Sequence, residues 1–193
     1  MHRNTPRPLR LIPGLLILLS LLWLLQSVVG VRPLGTPIPG DFTIQPGYRH
    51  ISAPDGRTWR ILFQWPWNST FGGTVRHTSQ WHDTAAPFMS HDILVTKGDY
   101  ANPNLVHTQV KDHHYYYTYG QIRPQGDISL LHIFPASAEV LDQLNTIQNG
   151  DIVRISGREI FLITRYNARG DRSGYFTDMG CNTILVTNVE ILP

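Results

Sequence analysis

GDIVRISGREIFLIT, running from Gly150 to Thr164, is the stretch that sets the fold. Ile152, Arg154 and Ser156 point to one side of an extended chain, and Val153 and Ile155 point to the other. That period of two is the mark of a strand with one buried face. Gly157 interrupts the alternation and allows a bend or a bulge, after which Glu159 to Thr164 continues as strand. A Gly-Asp turn, an apolar strand and a glycine in its middle are the pattern of a small, strongly curved barrel.

Immediately before this strand the period changes. From Ala136 to Gln148, the residues Val140, Leu141, Leu144 and Ile147 recur at helical spacing and make one apolar stripe. Ser137 is placed to cap the helix, Glu139 suits its positive first turn, and Asn149-Gly150 supplies a left-handed stop. Further out the signal is again β: TWRILFQW (58–65), DILVT (92–96), YYYTYGQI (115–122), ISLLHIF (128–134) and TILVTNVEIL (183–192). Turn residues separate these runs at Pro54-Asp55-Gly56, Gly72-Gly73, Lys97-Gly98-Asp99, Asn102-Pro103-Asn104 and Pro124-Gln125-Gly126-Asp127. A polar loop, 167–174, joins the last two strands. The expected class is mainly β with one packed helix (α+β). The expected form is a small curved barrel of the oligonucleotide/oligosaccharide-binding (OB) type, or a half-open β-roll.

The barrel is expected behind an amino-terminal transmembrane helix. An almost unbroken apolar run extends from Leu11 to Val31 and contains no charged residue. About twenty helical residues cross the ~30 Å hydrocarbon core of a bilayer. Arg3, Arg7 and Arg10 precede the run and only Arg32 follows it closely, which favours a cytoplasmic amino terminus. The sequence therefore divides into a cytoplasmic tail (1–10), an anchor in the lipid bilayer (11–31), a Pro/Gly linker (32–40) and an extracytoplasmic β-rich domain (41–193). A cleaved signal peptide with its apolar core over 15–25 is the rival reading of the same run.

Composition narrows the function classes. The formal net charge is +2, and much of the positive charge sits in the amino-terminal tail. No basic stripe is present, so nucleic acid is not expected among the partners. Cys181 is the single cysteine, so no disulfide can form within the chain. No phosphate loop, Ser-His-Asp order or pair of carboxylates is apparent, and neither a catalytic residue nor a cofactor is expected.

Four groups of residues carry possible chemistry. On a strand, Tyr115, Tyr117 and Tyr119 share one face and can stack sugars, bases or a partner's side chains. His77, His82, His91, His107, His113 and His114 could bind metal if they converged, but their spacing matches no compact ligand signature, and His113 and His114 on one strand would point apart. No metal site is therefore expected, and a histidine metal-binding protein stands as an alternative. Cys181 with His132, and with Asp178 to orient the base, could form a cysteine nucleophile. L,D-transpeptidases also carry a Gly-Cys pair late in a β-rich domain, but the arginine that follows their cysteine is missing here, and burial of Cys181 as a small core residue is expected. Trp59, Trp65, Trp67 and Trp81 form the fourth group: Trp65-Pro66-Trp67 ends a strand and suits a headgroup region, with core or barrel-end packing as the other reading.

SHDILVTKGDY (90–100), HHYYYTY (113–119), the block 131–160 and Gly180-Cys181 together resemble a group of bacterial proteins of unassigned activity that carry one amino-terminal membrane helix. The chain departs from that pattern at Asn182, where an acidic residue is expected. The resemblance implies a single-pass protein of the inner membrane with a periplasmic domain, and it carries over no catalytic residue. The expectation is a membrane-anchored binding or assembly module of the cell envelope, with an envelope protein or a glycan as partner. Its binding residues are expected to be Tyr115, Tyr117, Tyr119 and His132. A cysteine-dependent envelope enzyme is the alternative.

Overall fold

The computed structural model describes residues 36–38, 41–81, 86–177 and 181–193. The expected tail and anchor, residues 1–31, lie outside them, as do His82 and Asp178. Among the described residues no helix is long and apolar enough to cross a membrane. Among the described residues the domain is mainly β with one α-helix. Its strands are β1 (Thr36–Ile38), β2 (Phe42–Ile44), β3 (His50–Ser52), β4 (Thr58–Phe63), β5 (Ser69–Gln80), β6 (His91–Thr96), β7 (Val106–Lys111), β8 (His114–Tyr119), β9 (Ile128–Pro135), β10 (Ile152–Tyr166), β11 (Arg172–Thr177) and β12 (Asn182–Leu192). The helix, α1 (Ala138–Thr146), lies between β9 and β10.

Five strands pair in a closed ring. β5 pairs with β6, β6 with β9, β9 with β12, β12 with β10, and β10 returns to β5. Only β9 and β12 run parallel within it; the other pairs are antiparallel. The long strand β10 makes this possible by serving two sheets. Its first half pairs with β5 and β12, and from Ile160 onward it pairs with β4 and then β11, extending the meander β1–β4. The switch occurs beside Gly157, where the register against β12 shifts. A Cβ there would lie 2.0 Å from the Leu185 carbonyl oxygen, so only glycine lets the two backbones approach.

The Gly72-Gly73 pair is not a turn. It lies inside β5, and a Cβ on Gly73 would lie 2.2 Å from the Thr96 carbonyl oxygen. These glycines serve the tight curvature of the ring, a close-approach role that resembles turn chemistry in one dimension. The loop 167–174 is likewise shorter than expected, because β11 forms within its end and pairs back on β10.

Two apolar cores result. Ile93, Val95, Leu131, Ile133, Val153, Ile155, Ile184 and Val186 fill the inside of the ring together with Val140, Leu144 and Ile147 from α1 and its end. Ser137 caps α1 by accepting from the Val140 N–H at 3.3 Å. Leu141 is only half-buried, so the stripe is narrower than its spacing suggested. Phe134 and Leu185, which point the other way, join Trp59, Trp81, Phe88, Ile61, Ile160 and Ile163 in a second core on the outside of the ring. Both faces of β6 and β9 are thus covered, and every residue of β6 is buried.

Candidate functional site

The outward faces of β6 and β9 hold the buried polar residues that matter. Asp92 and His132 sit opposite each other in the antiparallel register. They are 3% and 4% exposed. The His132 Nδ1–H donates to Asp92 Oδ1 at 2.6 Å, and the His113 Nδ1–H donates to Asp92 Oδ2, also at 2.6 Å. Burial pushes the Asp92 carboxyl up, but the hydrogen bonds and charge of His132 and His113 outweigh it and hold it below the ordinary carboxylate value. With Asp92 ionised, both imidazoles must carry their proton on Nδ1. Trp81 covers the group: its ring centroid lies 4.0 Å from that of His113 and 5.3 Å from that of His132.

His113 reaches Asp92 from a separate element. β7 and β8 form a two-stranded hairpin, with Lys111 opposite His114 and a two-residue turn, Asp112-His113. Both turn residues have positive φ, 50° and 61°. Such turns favour Asn-Gly or Asp-Gly, so a histidine in the second position is a costly choice. The hairpin is tied down at its base by Arg76 from β5, whose guanidinium donates to the carbonyls of Tyr100 at 2.8 Å and Val106 at 3.1 Å. His113 is therefore a turn residue and not a strand residue, which is why it does not simply oppose His114 across one strand.

The hairpin carries the tyrosines. The rings of Tyr115 and Tyr117 stack at 6.5 Å and 17°, and those of Tyr117 and Tyr119 at 6.2 Å and 22°. Tyr117 and Tyr119 are exposed, at 41% and 45%, and Tyr100 packs its edge on Tyr117 from below. Tyr115 is half-buried, and its hydroxyl is pushed up by burial and by the neighbouring Cys181. The three tyrosines thus share a face of the hairpin as expected. His132 is not part of that face. It is connected to it through Asp92 and the hairpin tip.

Cys181 is half-buried, more open than its flanking residues suggested, and its thiol donates to the His113 carbonyl oxygen at 3.6 Å. A cleft of about 450 Å³ opens beside Asp92 and His113, bounded by His77, Ser79, Gln80 and Asp112. Burial pushes the imidazoles of His77 and His91 down, and the charge of Asp92 only partly offsets it. His107 and His114 are exposed. Trp65 and Trp67 stack on each other at 5.5 Å and 8° on an exposed edge, remote in sequence from this group.

Asp92 and His113 escaped the sequence reading as a pair. The available signal was a carboxylate inside an otherwise apolar strand, His91–Thr96, where a charge needs a buried partner. The identity of that partner depends on β6–β9 register and on a turn 21 residues away.

No protein-family model matches the chain, and no curated protein matches it. Among solved structures, the mitochondrial single-stranded DNA-binding protein Rim1 of S. cerevisiae matches at 10% identity, covering 68% of this chain and 97% of that one, with a TM-score of 0.32. That neighbour is named as a single-stranded DNA-binding protein, so the expectation that nucleic acid is absent from the partners is withdrawn. Net charge does not decide the matter, because aromatic faces hold bases by stacking and a charge count does not register them. A TM-score of 0.32 assigns no ligand to this chain.

Proposed function

We propose that the chain is a membrane-anchored, extracytoplasmic binding module whose barrel is of the OB type, and that it takes ligands with flat ring faces on the β7–β8 hairpin. The observation that carries this reading is the ladder of Tyr115, Tyr117 and Tyr119, stacked in order, with Tyr117 and Tyr119 exposed and Tyr115 half-buried. Stacked phenol rings have little to gain from exposure unless something covers them. Its position supports the same reading. OB barrels bind along their second and third strands and the adjoining loops. Counting from β5, the second and third strands of this ring are β6 and β9, and the hairpin connects them. The membrane address rests on the apolar run 11–31 and the arginines before it.

The test is direct binding by the full chain in detergent. A labelled oligo-dT strand and a labelled soluble glycan chain are the probes. Saturable binding of one of them is expected, with the Tyr115→Ala/Tyr117→Ala double variant at least about tenfold weaker, given ~1–3 kcal/mol per stacked ring. Saturable binding of neither probe, or binding that the double variant leaves unchanged, defeats the reading.

A further inference from the structure

We infer that Asp92, His113 and His132 form a site for one divalent transition-metal ion, zinc by its ligand chemistry, and that the ion fastens the β7–β8 hairpin to the barrel. Three residues from three places in the chain bring one donor atom each to within 4.8 Å of the others. The ion takes the place of the two protons that the His113 and His132 rings donate to Asp92, and each proton leaves Nδ1 on binding, for Nε2 of a neutral ring or for solvent from a charged one. Two imidazoles and a carboxylate are a common zinc donor set, with bonds of about 2.0–2.2 Å. Asp92 and His132 are set by paired strands and are nearly sealed from water, so half of the site is rigid before any ion arrives.

The third ligand shows what the site is for. Asp112 and His113 are two left-handed non-glycine residues in succession, a backbone conformation that strains L residues. A tight turn alone would be better served by glycine. The turn instead places an imidazole on a buried carboxylate, under an indole that contacts both histidine rings. The cleft beside Asp92 and His113 gives an ion a way in and leaves room for a water or a ligand atom to complete a tetrahedral shell. Tyr115 follows His113 by two residues, so an ion at this point would fix the register of the tyrosine ladder over the barrel. The site stands on its own residues and does not depend on what the tyrosines bind.

The experiment uses the full chain in detergent, stripped with EDTA, dialysed, and titrated with ZnCl2 against a chromophoric chelator. CoCl2 is used in parallel as a spectroscopic substitute. One zinc per chain is expected, together with a visible Co²⁺ absorption of four-coordinate intensity. His113→Gln and His132→Gln should each weaken zinc by more than about tenfold. Because His132→Gln lies in the core, His113→Gln at the hairpin tip is the decisive variant, with circular dichroism confirming the fold. His114→Gln is the control, since that exposed ring donates to its own backbone at Asp112. It should leave zinc unchanged. A folded wild-type chain that takes up no stoichiometric zinc, or a His113→Gln variant that binds as wild type, would show that the three side chains are joined by hydrogen bonds alone.

Discussion

β6 and β9 carry opposite chemistry on their two faces. Inward, Ile93, Val95, Leu131 and Ile133 meet other aliphatic side chains and α1. Outward, Asp92 faces His132 two residues from Leu94 and Leu130, in surroundings just as dry. The inner face is satisfied by volume and apolar character, and many side chains would serve. The outer face is satisfied only if three particular groups meet with the right proton on each, because a buried charge without partners costs far more than a small void. One pair of strands therefore holds a part that tolerates repacking and a part that does not.

The largest effects should come from the inner face. Leu144 is fully buried between α1 and the ring, so Leu144→Ala should cost ~2–5 kcal/mol in a denaturant titration. Leu141, half-buried on the same helix, should cost clearly less on truncation. Equal losses would mean that the helix packs by a different face. Next comes the curvature of the ring itself. Gly157→Ala forces a Cβ onto the Leu185 carbonyl and should cost ~1–3 kcal/mol or more. A midpoint equal to wild type would show that β10 and β12 can separate at the bulge without penalty.

The outer face is tested more selectively. Asp92→Asn keeps the volume and replaces one acceptor oxygen by an NH2 that faces an imidazole N–H. The imidazole that faces this NH2 must shift its proton to Nε2 and accept from it, and the charge-assisted bonds to the carboxylate are lost, at a cost of ~1–3 kcal/mol. The loss should be concentrated at the hairpin. Hydrogen exchange should rise in β7 and β8 and stay unchanged in β10 and β12. Uniform loosening of the ring would mean that the polar group supports the barrel and does not fasten the hairpin.

The same division explains what the sequence reveals. The helix, its serine cap and most strands of the ring could be read from local pattern, because period and capping are properties of neighbouring residues. The bend at Gly157 was legible for the same reason. Gly72-Gly73 misled, since a glycine demanded by a backbone 23 residues away looks the same as one demanded by a turn. The alignment of Tyr115, Tyr117 and Tyr119 followed from strand alternation. The Asp92–His113–His132 group did not, because spacings of 21 and 40 residues acquire meaning only once strand order and register exist.

The smallest effect is expected at Cys181, which touches the outer face without belonging to its hydrogen-bonded group. Its thiol makes only a long contact, 3.6 Å, to the carbonyl of His113, and a serine hydroxyl of similar size keeps a donor beside the same oxygen. Cys181→Ser should therefore stay within ~0.5 kcal/mol of wild type and bind the same ring-bearing probe with the same affinity. A resting thiol reacts slowly, whereas a cysteine nucleophile is held as thiolate by a nearby base or cation. Iodoacetamide at neutral pH distinguishes these states in the native protein, because only the thiolate reacts. Labelling slower than that of the denatured chain is expected. Labelling faster than in the denatured chain, abolished in a His132→Gln variant that remains folded, would join Cys181 to His132 as nucleophile and base. The comparison between the two faces would then be one between a core and an enzyme's active site.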